Sequence, residues 1–256
     1  MALMKTSNPA FGDKTFRDLA NSGQFGGIAD TARMTLSGTV NKTGILLLCC
    51  LATAAWTWRL FHQTDDASAV GPLMIGGLIG GFIFAMITIF KQSWAPVTAP
   101  IYALLEGLVL GGISAITNAR YPGIGIQAVS LTFGTLFVLL LAYSSGLIKV
   151  TDKMRLGIVA ATGGIAVFYL LEMVLSFFGV HFTTINGSST IGIVFSLFVV
   201  AIAALNLVLD FDFIERGVSV GAPKYMEWYG AFGIMVTLVW LYLEILRLLS
   251  KMRSRN

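Results

Sequence analysis

Long apolar runs alternate with short polar stretches along most of the chain. Seven of the runs are long enough for a helix to cross a bilayer core about 30 Å thick, which takes roughly 20 apolar residues. They lie at 43–61, 71–90, 97–117, 126–148, 156–180, 190–212 and 229–249. The pattern therefore predicts an all-α integral membrane protein, a bundle of seven transmembrane helices.

The polar positions divide the chain into three parts. Residues 1–42 are rich in Gly, Ser and Thr and predict a flexible or membrane-surface segment. Residues 43–249 form the predicted transmembrane domain, and 250–256 form a basic tail. Hydrophobic residues make up 56% and charged residues 12%, with a mean hydropathy of +0.80, which excludes an ordinary soluble domain. We expect the first run to act as an internal insertion signal and no leader to be cleaved.

The distribution of Lys and Arg predicts the orientation. With the amino terminus in the cytoplasm, most positive charges in the loops fall on the cytoplasmic side, as the positive-inside rule expects. The basic tail, with Lys251, Arg253 and Arg255, conflicts with this if the seventh run crosses fully. Two interpretations stay open: the bias is tolerated, or the last run is a hairpin that returns the tail to the cytoplasm.

Small residues recur within several runs. Gly77 and Gly81, and Gly107 and Gly111, have the spacing that lets two helices approach closely in a membrane, and ATGGIA at 161–166 is a third cluster. We interpret these glycines as helix-packing positions, with a ligand site as the alternative. The adjacent Cys49 and Cys50 give neither a disulfide framework nor a metal-binding spacing.

Acidic side chains inside the apolar runs are the candidate functional residues. An ionisable group in the hydrocarbon costs about 2.5–3.5 kcal/mol on insertion scales, so each one is a candidate functional residue. The interiors of these runs offer few compensating positive charges. The acids are Glu106 in the third run, Glu172 in the fifth, Asp210 and Asp212 late in the sixth, and Glu244 in the seventh.

Two of these acids could form a proton-sensitive pair. Burial raises the pKa of a carboxyl group, and two facing carboxyl groups share one proton and titrate together. The protonated pair would hold two helices together, whereas the ionised pair would attract a cation, which describes a pH-gated cation path. Asp210 and Glu244 are the candidates, also as calcium ligands. Straight helices would leave them about 12 Å apart in depth, and a non-helical stretch near GVSVGAP would narrow this gap.

Each acid also has a structural interpretation. Asp212 is expected to be solvated at the membrane edge, and Glu244 could simply pair with Arg247. Asn206 lies one turn before Asp210 and could supply it with a hydrogen bond.

The acids of the third and fifth runs are weaker candidates for the cation path. Glu106, beside Gly107, is expected to face a cavity or to accept a hydrogen bond between helices. Glu172 either lies on the path or extends outward to the membrane surface.

Seven sequence blocks resemble one known family. They are SNPAF (7–11), KTGILL (42–47), APVTAPIYALLEGLVLGGIS (95–114), YPGIGIQAV (121–129), GLIKVTDK (146–153), NLVLDFDFIERG (206–217) and PKYMEWYGAFGIMVTLVWLYLEILRLL (223–249). At these blocks the chain resembles the transmembrane Bax inhibitor motif family, in its bacterial branch with an amino-terminal extension. The resemblance implies that a central, acid-bearing carboxy-terminal helix is wrapped by the other six.

The resemblance also implies a function. Family members resemble pH-sensitive calcium leak channels gated by an acid pair, and the pair falls here on Asp210 and Glu244. The chain departs from the pattern in carrying Glu rather than Asp at 244 and a longer connection between the two acids. The second run, 71–90, has no Lys or Arg to latch the sixth-helix acid as in compact members.

These observations lead to a main hypothesis and one alternative. The main hypothesis is a pH-sensitive calcium-permeable leak channel, with calcium as the transported ion and protons as the regulator. The alternative is a non-conducting regulator that binds other membrane proteins, such as a protease complex. We expect no enzymatic activity, since no activated nucleophile or His-rich metal site is recognisable, and no cofactor. The expected surroundings are the lipid bilayer of a bacterial inner membrane, with no nucleic acid partner.

Overall fold

The computed structural model describes residues 33–64, 66–179, 185 and 187–255. The described residues form long helices in the order α1 (Leu36–Thr64), α2 (Ala67–Phe90), α3 (Ala95–Arg120), α4 (Ile124–Ser144), α5 (Asp152–Phe177), α6 (Thr190–Ser219) and α7 (Met226–Arg255). All seven are long and apolar enough to cross a membrane. The predicted seven-helix, all-α fold is therefore confirmed. Most of the polar segment 1–42, with the SNPAF block, lies outside the described residues.

The helix ends differ from the predicted spans because polar residues extend or cap several helices. α1 begins at Leu36 rather than at 43, and α6 continues past 212 to Ser219. Asp66, Thr151 and Ser189 cap α2, α5 and α6, each side chain accepting a hydrogen bond from a backbone N–H of the first turn. Hydropathy alone cannot locate such ends, since capping is a local hydrogen-bonding property.

The centre of the bundle is α7, which packs against α1, α3, α4 and α6. Its buried face is continuous from the first turn to Leu246, and Tyr229, Phe232, Met235 and Leu241 are among its most buried side chains. α5 lies at the periphery and packs on α6. The arrangement confirms the expectation of a central, acid-bearing carboxy-terminal helix.

Close helix contacts form at some of the predicted glycines. A Cβ atom on Gly77 would lie 2.7 Å from the carbonyl oxygen of Leu105 on α3. A Cβ on Gly107 or Gly111 would collide with the backbone of α1 at Cys50 or Ala54. These glycines let α2 and α1 approach α3 at backbone distance, as the packing interpretation predicts.

The third glycine cluster behaves differently. A Cβ on Gly163 or Gly164 would meet no atom within 4 Å. The prediction of a packing position at ATGGIA is therefore wrong for these two glycines, because α5 is peripheral and the described residues leave open space on the side of α5 that carries them.

The bundle has two ends, which we call the turn end, at residues 220–225 between α6 and α7, and the far end, where α7 finishes. α7 is one continuous helix to Arg255, which excludes the hairpin interpretation of the last run. At the far end the Lys251 ammonium, buried in the structure, donates hydrogen bonds to the carbonyl oxygen of Ile185 (2.7 Å) and the hydroxyl of Ser196 (2.9 Å). One charge of the basic tail is thus held by Ile185 and the beginning of α6.

Candidate functional site

Asp210 lies in the most enclosed part of α6. Residues 206–211 are all buried, and Asp210 has an exposed fraction of 0%. A helix that is buried on every side is surrounded by other elements, so this carboxyl group faces protein whichever way it points. The prediction that Asp210 lies within the bundle rather than at its wet edge agrees with this burial.

Asn206 connects the same region to α5. Its side-chain amide donates hydrogen bonds to the Thr162 hydroxyl and to the Ile202 carbonyl oxygen, both at 2.8 Å. The first bond crosses between helices, and the second stays within α6. Asn206 therefore fixes the peripheral α5 against α6 one turn from Asp210.

Glu244 is buried on α7, with an exposed fraction of 2%, and is hydrogen bonded on two sides. The Tyr169 hydroxyl on α5 donates to its carboxylate at 3.1 Å, and Arg247 Nη1 donates at 3.1 Å. Arg247 also donates to the Tyr169 hydroxyl at 2.6 Å. The ion pair with Arg247, which the sequence allowed as the structural interpretation, is present. It extends from the buried carboxylate to a half-exposed guanidinium nearer the far end.

Asp210 and Glu244 lie at different depths. α6 remains helical to Ser219, α7 begins at Met226, and only residues 220–225 separate them. With a rise of about 1.5 Å per residue, the two acids are about 13 Å apart along the bundle. The non-helical stretch that would narrow this gap is confined to the turn. This separation disfavours direct sharing of one proton, and proton sensing by the two acids stays a prediction.

Asp212 forms ion pairs, contrary to the expectation of simple solvation. Its carboxylate accepts a hydrogen bond from Arg155 on α5 at 2.6 Å and forms an ion pair with Arg216 at 3.0 Å, and its side chain is only 15% exposed. Arg155 is itself buried, and it lies 3.7 Å from Asp152. The sequence does not predict this burial of Arg155, since the helix rotation that turns the side chain inward is not visible in a linear pattern.

The two remaining candidate acids have separate surroundings. Glu106 is partly buried, hydrogen bonded to Tyr102 one turn earlier, and its carboxylate lies against Gly81 of α2. It thus occupies the α2–α3 contact, as expected for an acceptor between helices. Glu172, partly buried on α5, interacts electrostatically with Lys251. The candidate acids therefore lie in several different helix contacts and do not share a single one.

The sequence analysis missed Glu227, which is fully buried in the first turn of α7. Its carboxylate accepts hydrogen bonds from the Thr35 backbone N–H (2.9 Å) and hydroxyl (2.8 Å), pairs with Lys224 at 2.9 Å, and pairs with Lys42. The backbone N–H of Met34 adds a bond to the carbonyl oxygen of Ala222. This cluster joins the beginning of α1 to the turn end of α7.

One local signal could have identified Glu227. Lys224 precedes it by three residues, the spacing of an ion pair on a helix. An acid in the first turn of a helix is also favoured by the helix dipole. Neither signal points to Lys42, which lies far away in the sequence.

No dense metal site is present in the described part of the chain. There, no three or more His, Cys, Asp or Glu side chains lie close enough together to hold a metal ion. Calcium takes about six to eight oxygen ligands, so Asp210 and Glu244 alone would not make a storage site. Isolated carboxylates are better suited to brief contact with a passing cation than to tight binding.

Comparison with known proteins agrees with the fold. The model of the family described as Bax inhibitor 1 like matches residues 8–254, a range that contains every helix of the bundle except the last residue of α7. No curated protein and no solved structure matches the chain. Because the match extends over nearly the whole sequence and all seven helices are apolar enough to span a membrane, the chain belongs to the Bax inhibitor 1 like family of integral membrane proteins.

Proposed function

We propose that this protein is a passive, pH-sensitive leak for calcium, in which Asp210 and Glu244 are acidic stations at two depths of the bundle. The observation that carries the proposal is the burial of both carboxyl groups, with exposed fractions of 0% and 2%, on the adjacent helices α6 and α7. Ionisable residues at such positions mark ion and proton pathways in membrane proteins.

The two stations differ in their surroundings. Glu244 is held by Tyr169 and Arg247, and the exposed part of Arg247 leads toward the far end. Asp210 lies nearer the turn end, within the enclosed part of α6. A cation that entered at either end of the bundle would meet one carboxylate before the other. The two acids would therefore act in sequence rather than as one shared site.

Protonation provides the pH dependence. A neutral carboxyl group neither attracts a cation nor compensates its charge in a low-dielectric interior, whereas an ionised group does both. Ionisation increases as the pH rises. Calcium flux is therefore expected to be low in acid and to increase with pH. The path uses no enzymatic step and no cofactor, and calcium is the transported substrate.

The Lys and Arg distribution supports a cytoplasmic amino terminus, and we propose a bacterial inner membrane as the location. The turn end, which holds Lys42, Arg155, Arg216 and Lys224, would then face the cytoplasm. Several of these charges are already paired with acids, so the bias that orients the chain is partly neutralised once the bundle has folded.

The test is calcium uptake into liposomes that contain the full chain, followed with an enclosed fluorescent indicator over a range of pH. Wild-type flux should rise with pH, and Asp210→Asn and Glu244→Gln should each reduce both the flux and its pH dependence. Asp152→Asn is the matched control, because the Asp152 side chain is 74% exposed at the membrane edge. Equal flux in wild type and Asp210→Asn would remove the proposal, and no flux in any variant would leave the non-conducting regulator.

A further inference from the structure

A cavity of about 560 Å³ lies between α1 and α4 at the turn end of the bundle. Both helices pack on α7 and leave a crevice between them, closed on its inner side by α6 and α7. Its lining includes Val40, Gly44, Leu136, Leu140, Phe211 and Ile234. The volume falls in the range of about 300–1,000 Å³ that is usual for small-molecule sites.

The wall of this crevice is mostly apolar, and its threonine hydroxyl groups are bonded to their own helix. The hydroxyl groups of Thr39 and Thr43 donate hydrogen bonds to the carbonyl oxygens of Thr35 and Thr39 on their own helix, both at 2.9 Å. The hydrogen atom of each hydroxyl is therefore used within α1. An apolar wall offers water few hydrogen-bonding partners, so this part of the crevice suits a hydrocarbon occupant.

Polar side chains line the mouth of the crevice, and Glu215 is the charged residue among those that line the cavity. The Tyr143 hydroxyl at the end of α4 donates a hydrogen bond to the exposed carboxylate of Glu215 on α6, and Ser144 lies beside them. These residues are at the turn end, where the helices leave the hydrocarbon. An occupant that matches the site therefore has an apolar tail and a positively charged group at its polar end.

The dimensions fit one hydrocarbon chain. The lining runs along α1 from Leu36 to Leu47, about 16 Å at about 1.5 Å per residue. At Leu47 a second cavity of about 100 Å³ begins and continues along α1 to Ala54. A chain that entered at Glu215 could thus extend toward the middle of the bundle and contact the central helix at Ile234.

We infer that the α1–α4 crevice binds one acyl chain of an amine-bearing phospholipid, whose ammonium group is held by the Glu215 carboxylate. The two supporting features are independent, since the apolar crevice selects a chain and the acidic mouth selects the head group. This site is separate from Asp210 and Glu244 and does not rest on the proposed leak.

The test is native mass spectrometry of the full chain purified in mild detergent. The protein is incubated with equal amounts of dioleoyl-phosphatidylethanolamine, which has an amine, and dioleoyl-phosphatidylglycerol, which has none. The wild type should retain one phosphatidylethanolamine in preference to phosphatidylglycerol. Glu215→Gln should reduce this preference about tenfold, as expected for the loss of a charge-assisted hydrogen bond, while some chain binding remains.

A matched pair of glycine variants tests the crevice itself. A Cβ on Gly44 meets no atom within 4 Å, so Gly44→Leu fills the crevice without disturbing a helix contact and should abolish lipid retention. Gly134→Leu is the control, since Gly134 on α4 is equally open but does not line the cavity. Retention by Gly44→Leu at the wild-type level, or equal binding of the two lipids by wild type, would overturn the inference.

Discussion

Arg155 on α5 donates a hydrogen bond to Asp212 on α6 over 2.6 Å, and this ion pair holds the most peripheral helix of the bundle to its neighbour. The guanidinium side chain is only 6% exposed, so the charge is separated from solvent by packing. Arg216 pairs with the same carboxylate oxygen at 3.0 Å. The ion pair and the Asn206–Thr162 hydrogen bond together provide polar links between α5 and α6.

Replacement of Arg155 should therefore destabilise the protein. Breaking a buried ion pair by removing one partner costs about 3–5 kcal/mol, since the other charge remains buried. Arg155→Met is expected to approach the lower value, because Asp212 keeps Arg216. The free energy of unfolding in detergent measures the loss.

The control for Arg155 is Lys153→Met, because Lys153 is exposed two residues earlier on α5. It should change the free energy of unfolding little. A double-mutant cycle of Arg155→Met with Asp212→Asn should show coupling between the two positions. Additive effects would contradict the ion pair as the source of the stabilisation.

Glu227 should depend more on Lys42 than on Lys224. Its carboxylate pairs with both, but the Lys42 side chain is 15% exposed and that of Lys224 is 49% exposed. An exposed ion pair contributes about 0–1 kcal/mol, whereas a buried one that loses a partner costs several times more. Thermal unfolding should therefore show a larger decrease in Tm for Lys42→Met than for Lys224→Met. Equal decreases in Tm would mean that the burial of the lysine does not determine how much each ion pair stabilises the protein.

Gly38 has no room for a side chain, because a Cβ there would occupy the position of the Glu227 carboxylate. Gly38→Ala should displace this carboxylate from Lys42 and Thr35 and cost about 1–3 kcal/mol, as overpacking usually does. Gly44→Ala, on the same helix with open space around its Cβ, should stabilise the helix by about 0.5–1 kcal/mol.

The origin of the Gly38 effect can be tested separately. In a Glu227→Ala background the carboxylate is gone, so Gly38→Ala should have a much smaller effect on the free energy of unfolding. An undiminished loss in that background would show that another contact causes the strain.

The sequence was sufficient for features that repeat along one helix. Each membrane span produces about 20 apolar residues in a row, so the number of helices and their order follow from hydropathy. The Glu244–Arg247 pair is also local, since three residues bring two side chains to the same helix face. The burial of Asp210 could be inferred because apolar residues surround it in the sequence.

Contacts between helices were not predictable in the same way. The pairs Arg155–Asp212, Tyr169–Glu244 and Lys42–Glu227 depend on how each helix is rotated about its axis. The hydrophobic pattern hardly specifies that rotation in a membrane helix, since the face toward lipid is as apolar as the face toward protein. The crevice between α1 and α4 could not be inferred for the same reason.

Glycines in similar sequence clusters differ in how closely another helix approaches them. Gly111 on α3 and Gly163 on α5 both lie within glycine clusters, yet a Cβ on Gly111 would collide with the backbone of Ala54, while one on Gly163 would meet open space. Backbone atoms cannot move aside as a flexible side chain can, so Gly111→Ala must separate α1 from α3. We expect a loss of about 1–3 kcal/mol in the free energy of unfolding. Gly163→Ala should be neutral or stabilising, because alanine favours the helix. A similar loss in both variants would indicate that α5 packs against another helix at Gly163 in the membrane.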